Sequence, residues 1–437
     1  MEILKFDLSK NDGKFKILNA TNGGPWYKRH ARDQHRSNFE DYRNARIPYS
    51  RNHDSNACSG YGGPFSHDIS AIFPNFDADE NDPNSYDFAC TDENILATLD
   101  AGTKTFFRLG QTIEHQIKKH HTLPPKDFAK WARVCEHVIR HYTEGWADGF
   151  THDMPYWEIW NEPDLDDDES QNKRCWGGTK AQFFDFYEIV AKHLKGCFPH
   201  LKIGGPALAY RHDWAEDFLC EMQKRQVPID FFSWHIYHTT PQTLMWRAEE
   251  MKKLLVKYGY GEVETICNEW NYVEDWSEGF TQTLLDNHGI KGASYVLSVM
   301  ALVQPSSELD MLMYYDTRPG IWCGAFDYIT CKPLKPYYSL YWYGKFYDME
   351  HYVKAQTEIE DIYAICGVDK DRKSLCALTY YSHEEKPNKQ IKLDFGKDNA
   401  RYEIYAVDNE HNGELIKETS DLTFDLCRLS MLLIKEK

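Results

Sequence analysis

The sequence predicts an α/β fold: a (β/α)8 TIM barrel with a small accessory β-sandwich built from both chain termini. Three observations predict it. Short β-like runs alternate with longer helical stretches from about residue 15 to 345, the pattern of parallel strands joined by helices. Eight such runs occur in that span, the number a closed barrel of this type needs. After about residue 345 the β-like runs become closely spaced, and residues 1–7 form one more run outside the barrel series. The expected division is a barrel over residues 15–345 and a sandwich from residues 1–14 and 346–437.

The eight runs are, in order, 15–24 (FKILNATNGG), 45–54 (ARIPYSRNHD), 104–110 (KTFFRLG) and 155–164 (PYWEIWNEPD), then 202–208 (KIGGPAL), 230–238 (DFFSWHIYH), 264–271 (ETICNEWN) and 311–320 (MLMYYDTRPG). After the third, Pro124-Pro125 is expected to open a helix, since proline is tolerated in a first turn. Its apolar face is Phe128, Trp131, Cys135, Val138 and Tyr142 at helical spacing. After the fourth, Thr179-Lys180-Ala181-Gln182 has the capping-box pattern. Phe183, Tyr187, Val190 and Leu194 give that helix its buried face, and Gly196 is expected to end it. Runs 362–368, 374–381, 390–395, 401–407 and 426–434 read as antiparallel strands, with a turn signal at Asn412-Gly413.

Composition excludes several functions. The chain has 437 residues, which suits one large domain and an accessory one. Lys and Arg number 50 against 68 Asp and Glu, a net charge of −18. That argues against a nucleic-acid partner and against a polybasic membrane binder. No apolar run reaches the ~18 residues of a membrane span. Residues 1–7 (MEILKFD) carry acids where a signal core would be apolar, so no secretory signal and a cytoplasmic location are expected. The 12 cysteines begin at Cys58 and never form C-x-x-C. The closest two are Cys323 and Cys331, which is neither a zinc pattern nor a compact disulfide framework. Free thiols in a reducing compartment are expected. Aromatic residues make up 15%, which suits a cleft that stacks sugar rings and equally a large core.

In a TIM barrel the active site lies at the C-terminal ends of the strands. The fourth run closes with Trp160-Asn161-Glu162-Pro163 and the seventh with Asn268-Glu269-Trp270. Two glutamates there face each other across the barrel mouth. Glycoside hydrolysis needs such a pair: one carboxylic acid protonates the departing oxygen and the other carboxylate attacks the anomeric carbon. A separation of about 5 Å gives retention and a wider one inversion.

The stretch 156–164 (YWEIWNEPD) resembles the acid/base signature of glycoside hydrolase family 39. That family holds β-xylosidases and α-L-iduronidases and belongs to a retaining (β/α)8 clan. The resemblance continues over 49–54 (YSRNHD, with Arg51-x-His53), 86–102 and 123–142. It also takes in 176–207, ending Gly204-Gly205-Pro206-Ala207, and 230–237, with His235-x-Tyr237. It spans roughly residues 15–345, and the sandwich from both termini is also a family feature.

The resemblance implies a role for each matching residue. Glu162 would be the general acid/base, kept protonated by burial and by its neighbouring carboxylate. Glu269 would be the nucleophile. Asn161 would donate to the sugar 2-hydroxyl, and Tyr237 to the nucleophile. Arg51 would keep that carboxylate ionised; its structural alternative is an ion pair inside the barrel. His53 and His235 would bind hydroxyls of the cleaved sugar, unless they are simply satisfied buried histidines. Trp176, Trp270, Trp276 and Trp322 follow barrel strands, and Trp270 and Trp322 are the favoured stacking residues.

Some positions depart from the family pattern. Arg108 closes the third run, where it would favour an acidic sugar or pair with Glu114. Asp316 and Arg318 follow the eighth run. Asp316 would bind a hydroxyl, and Arg318 a hydroxyl or, bidentately, a carboxylate. The acidic stretch 164–169 (DLDDDE) lacks the glycine of a calcium loop and has Cys175 where the loop's glutamate belongs, so it reads as a solvated loop. His115, His120 and His121 read as surface residues. The expectation is a retaining, exo-acting glycoside hydrolase that acts on carbohydrate without metal or cofactor. A β-xyloside or another pentose-type plant glycan end is the preferred substrate. An α-L-iduronidase-like or α-L-arabinosidase-like enzyme is the alternative, and a catalytically inactive glycan-binding barrel the remote one. A homo-oligomer is among the implications of the resemblance.

Overall fold

A computed structural model describes residues 1–26, 36–53, 66–320, 322 and 324–437. Asp54, Cys58 and Cys323, named above, lie outside the described residues.

The chain opens with β1 (Glu2–Lys5). Eight strands then close into a barrel in sequence order. They are β2 (Ile17–Asn22), β3 (Tyr49–Arg51), β4 (Lys104–Leu109), β5 (Tyr156–Ile159), β6 (Lys202–Leu208), β7 (Phe231–Tyr237), β8 (Glu264–Asn271) and β9 (Met311–Tyr314). Neighbours pair in parallel all the way round, including β9 back to β2. All eight expected runs therefore fall on barrel strands, although β3 and β9 are much shorter than their runs.

The barrel interior is layered, as it must be when side chains fill it. The lower layer is apolar: Ala20, Phe106, Tyr156, Phe231, Ile266, Met311 and Met313. Outward-facing residues pack against the surrounding helices and form the largest core cluster. The helix Phe128–Thr143 starts at the Asp127 cap, whose side chain accepts from Lys130 N at 2.9 Å. Pro124-Pro125 precedes it rather than opening it. The capping box at Thr179 is formed as expected, and helix Lys180–Cys197 runs through Gly196 before it ends.

The remaining strands are β10 (His351–Val353), β11 (Ile362–Val368), β12 (Ser374–Tyr380), β13 (Lys389–Asp394), β14 (Tyr402–Val407), β15 (Asn412–Thr419), β16 (Thr423–Leu426) and β17 (Ser430–Glu436). They make a six-stranded sheet, β10-β11-β12-β17-β14-β15, and a three-stranded sheet, β1-β13-β16. β1 joins β13 in parallel, so the smaller sheet takes one strand from the other end of the chain. Asn412-Gly413 opens β15 instead of standing outside it, and the run 426–434 is split between β16 and β17. Leu4, Phe6, Ile391, Leu393, Cys376 and Ile434 fill the space between the two sheets. The other face of the larger sheet (Ile365, Leu375, Leu433) joins the barrel core through helix Ile290–Val303, which is buried nearly all round. A helix that is apolar on every face belongs between two layers. Nine described cysteines, Cys90, Cys135, Cys175, Cys197, Cys220, Cys267, Cys366, Cys376 and Cys427, are free thiols. Among the described residues no helix is long and apolar enough to cross a membrane.

Candidate active site

A polar layer lies above the apolar floor, and Arg51 at the end of β3 is its hub. The side chain is fully buried. Its Nε donates to Glu158 Oε2 at 2.6 Å, Nη1 to Glu269 Oε1 at 2.6 Å and Nη2 to Asn161 Oδ1 at 2.7 Å. Nη1 also reaches Asn22 Oδ1 at 3.2 Å. Glu158 accepts in turn from Ser233 Oγ at 2.6 Å and from the Asn268 amide. A guanidinium held by two carboxylates and two amide oxygens is an immobile cation, and the acids push its pKa above the ordinary arginine value.

A bulge sets the direction of Glu269. Trp234 pairs with Cys267 and His235 pairs with Glu269, so Asn268 is one extra residue on β8. Asn268 and Glu269 both turn into the barrel, and the next residue, Trp270, turns out. Besides Arg51, Glu269 accepts from Tyr237 Oη at 2.8 Å, with His53 Nε2 at 3.9 Å. Burial pushes the Glu269 carboxyl above its ordinary value, while His235, Arg51 and the Tyr237 hydroxyl act against burial. Burial also keeps the Tyr237 phenol well above its usual value, so it stays a donor.

Glu162 is aimed by backbone geometry. Trp160 and Glu162 both have positive φ, 72° and 46°. Such left-handed residues cost roughly 1–3 kcal/mol each and persist where the surroundings hold them. Trp160 N donates to Leu109 O at 2.8 Å and Glu162 N to Ala207 O at 2.9 Å. The carboxyl meets His235 Nδ1 at 2.8 Å and the Cys175 thiol at 3.9 Å. One oxygen of Glu162, one of Glu269 and a ring nitrogen of His235 all lie within 4.8 Å of one another.

The tautomer of His53 follows from its partner. Arg108 Nε donates to His53 Nδ1 at 3.1 Å, so the ring proton sits on Nε2. Burial, with Arg108 and Arg51 nearby, holds His53 well below the ordinary histidine value, so it is a neutral donor. With Asn161 Oδ1 held by Arg51, the Asn161 amide N–H groups are left to face the cavity. That cavity, about 860 Å³, is lined by Glu162, Glu269, Asn161, His53, His235 and Tyr237. One wall is aromatic: Trp322 lies 5.8 Å from Tyr237, 5.5 Å from Tyr315 and 5.5 Å from Trp276 between ring centroids.

Several expected residues are elsewhere. Trp270 is 0% exposed and packs outward against Tyr295 and Tyr314, so it cannot stack on a sugar in this cavity. Trp176 is likewise core, packed on Trp160 and Phe186. Asp316 is fully buried and holds Arg318 Nε at 2.8 Å, and Arg318 Nη2 donates to Tyr315 Oη at 3.2 Å. Neither Asp316 nor Arg318 lines the cavity. Arg108 pairs with Asp68 at 2.7 Å, not with Glu114, whose carboxylate takes the backbone N–H groups of His120, His121 and Thr122. Asp164 is not solvated: it is fully buried and accepts from the backbone of Ala209, Tyr210 and Arg211. His235 directs Nδ1 at Glu162 rather than at a free hydroxyl position.

Sequence reasoning missed Glu158, Asn268, Asn22 and Ser233. Their signal was polar residues at inward positions of barrel strands, where an apolar layer would otherwise continue. Tyr315 and Phe280 were also missed as walls of the cavity.

Two facing carboxylates at the mouth of a closed parallel barrel are the arrangement that glycoside hydrolysis needs. The model of the glycosyl hydrolases family 39 matches residues 47–276, more than half of the chain, and the protein belongs to that family. A β-xylosidase from Geobacillus stearothermophilus is 31% identical over 166 residues, 35% of this chain and 31% of that protein. A β-xylosidase from Caldicellulosiruptor saccharolyticus is 28% identical over 213 residues, 46% of this chain and 40% of that one. The match thus spans less than half the length of these relatives. The crystal structure of a glucosidase from Croceicoccus marinus superposes with a TM-score of 0.78 at 21% identity, over 100% of this chain and 99% of that one. That likeness is one of fold.

Proposed function

We propose that the protein is a retaining, exo-acting glycoside hydrolase, with Glu162 as general acid/base and Glu269 as nucleophile. The observation that carries this is the pair of carboxyl oxygens within 4.8 Å of each other. So short an approach of the nearest oxygens supports the ~5–5.5 Å carboxyl separation of double-displacement enzymes over the ~6.5–9.5 Å of inverting ones. Glu269 attacks the anomeric carbon while Glu162 delivers its proton to the departing oxygen. Glu162 then takes a proton from water, and the water oxygen replaces Glu269 on the sugar. Asn161 and His53 donate to sugar hydroxyls, and Trp322 offers a stacking face. The barrel carries the chemistry and the sandwich is accessory.

A β-xyloside is the preferred substrate, supported by the two β-xylosidase relatives. A neutral sugar in the cleaved position is supported by the engagement of Arg108 with Asp68 and of Arg318 with Asp316. These were the two cations from which a uronate reading would draw. The test is a panel of aryl glycosides, with the anomer of the first-formed product read by NMR. Retention, and loss of turnover to background in Glu269→Gly, are expected. An inverted first product, or undiminished turnover in Glu269→Gly, would overturn the reading.

A further inference from the structure

The cavity continues well past the two carboxylates. At about 860 Å³ it lies in the ~300–1,000 Å³ range that holds a drug-sized ligand, so a single sugar ring leaves part of it open. Its lining also includes Tyr210, after β6, and the first turns of helix Pro241–Lys257, with Thr243, Trp246 and Arg247.

Among the described residues, the arginines near the cavity are engaged by acids, with one exception. Arg51 holds Glu158 and Glu269, Arg108 holds Asp68 and Arg318 holds Asp316. Arg174, which lines the cavity, holds Asp166 bidentately, Nε to Oδ2 at 3.1 Å and Nη2 to Oδ1 at 2.7 Å. Arg247 lines the same cavity and has no acidic partner among the described residues. Its Nη1 donates to the Tyr210 carbonyl at 2.6 Å, and its Nε is buried without a partner. Burial pushes its pKa below the ordinary arginine value, and the charge of the buried Asp164, which makes no ion pair with it, acts the other way. In a chain of net charge −18, a half-buried guanidinium in no ion pair is conspicuous, because burying a charge is costly until it is paired. Arg247 lies 5.9 Å from the Trp246 ring, and Trp246 and Tyr210 are 54% and 55% exposed. Exposed rings beside an open guanidinium suit a flat ligand that carries an anion.

We infer that Arg247, flanked by Trp246 and Tyr210, forms a leaving-group subsite for a unit that bears a carboxylate. That unit is a uronic acid or an aromatic acid, joined through its hydroxyl to the cleaved sugar. The inference rests on the glycosidase reading above and extends it. It also relocates acid recognition, from the cleaved-sugar position, where the arginines are engaged, to the leaving-group side.

The experiment uses matched substrates of whichever sugar is turned over best. One pair is the 4-carboxyphenyl and 4-carbamoylphenyl glycosides. The other is a disaccharide with glucuronic acid, or with glucose, as the leaving group. The quantity read is the kcat/KM ratio of acid to neutral partner, compared between the unaltered protein and Arg247→Gln, because the leaving groups differ in intrinsic reactivity. The ratio should fall about tenfold or more, roughly 1.4 kcal/mol, and Arg247→Lys should keep part of it. A fall in the first pair identifies an aromatic acid, and in the second a uronic acid. A ratio unchanged in both pairs overturns the inference while leaving the glycosidase reading intact. If Arg247→Gln does not fold, Arg247→Met, which also removes the charge, carries the comparison, and an unchanged ratio there overturns the inference equally. Failure of the unaltered protein on every neutral glycoside would instead overturn the glycosidase reading.

Discussion

His235 Nδ1 stands 2.8 Å from Glu162 Oε1 and 3.6 Å from Glu269 Oε2, so one imidazole ring bridges the two carboxyl groups. Burial pushes this histidine below its ordinary value, which favours the neutral ring. A neutral ring can share one proton with Glu162 without adding a charge to the pair. His235 is therefore a positioning residue for the acid/base. His235→Ala should lower kcat by about 10–100-fold on substrates with poor leaving groups. That lies below the ~10²–10⁴ of complete acid–base catalysis. The loss should be smaller on good leaving groups. A pure rise in KM with kcat unchanged would assign His235 to sugar binding instead.

Glu162 itself gives a sharper contrast. Only poor leaving groups need a proton in the transition state. Glu162→Ala should slow alkyl and weakly acidic aryl glycosides by about 10²–10⁴-fold and activated aryl glycosides far less. Equal losses across a leaving-group series would contradict the role given to Glu162.

The nucleophile sets the acid side of the pH profile. Glu269 must be ionised to attack, and burial raises its carboxyl above the ordinary value. Ionisation is thus lost at a higher pH than for an exposed glutamate. The kcat/KM profile should fall on the acid side above the usual ~4.3 of glutamate. Arg51 opposes burial through its 2.6 Å contact. Arg51→Gln should accordingly move the acid limb further toward neutrality and lower the plateau. An acid limb at or below the ordinary glutamate value in the unaltered protein would sink this account.

The barrel was legible because period and spacing are properties of each run, and all eight runs fell on strands. Glu162 and Glu269 were legible because they stand near the C-terminal ends of strands four and seven of the barrel. The Arg51–Glu269 contact was expected from the resemblance, but the rest of the hub was not legible, because a residue's partners depend on strand register, which the sequence does not carry. Glu158 stood inside the quoted motif, yet its pairing with Arg51 and Ser233 needs three strands brought together. The same holds for Arg108 and Arg318, whose acidic partners fix what they can no longer bind.

Trp270 shows the effect of one inserted residue. Strict alternation along β8 puts Asn268 and Trp270 on one face and Glu269 on the other. The bulge at Asn268 reverses that parity, so Glu269 enters the barrel and Trp270 leaves it. The two tryptophans favoured from sequence should now separate in experiment. Trp270→Ala opens a hole in the core and should cost about 3–5 kcal/mol of stability, read by denaturant unfolding. Trp322 is only partly buried, against Tyr237, Tyr315 and Trp276 on the cavity wall. Trp322→Ala should cost less stability and raise KM about 5–10-fold, in line with the ~0.5–1.5 kcal/mol that an aromatic stacking contact contributes. If instead Trp270→Ala folded normally and lost substrate affinity, the bulged register of β8 would be wrong, and with it the inward direction of Glu269.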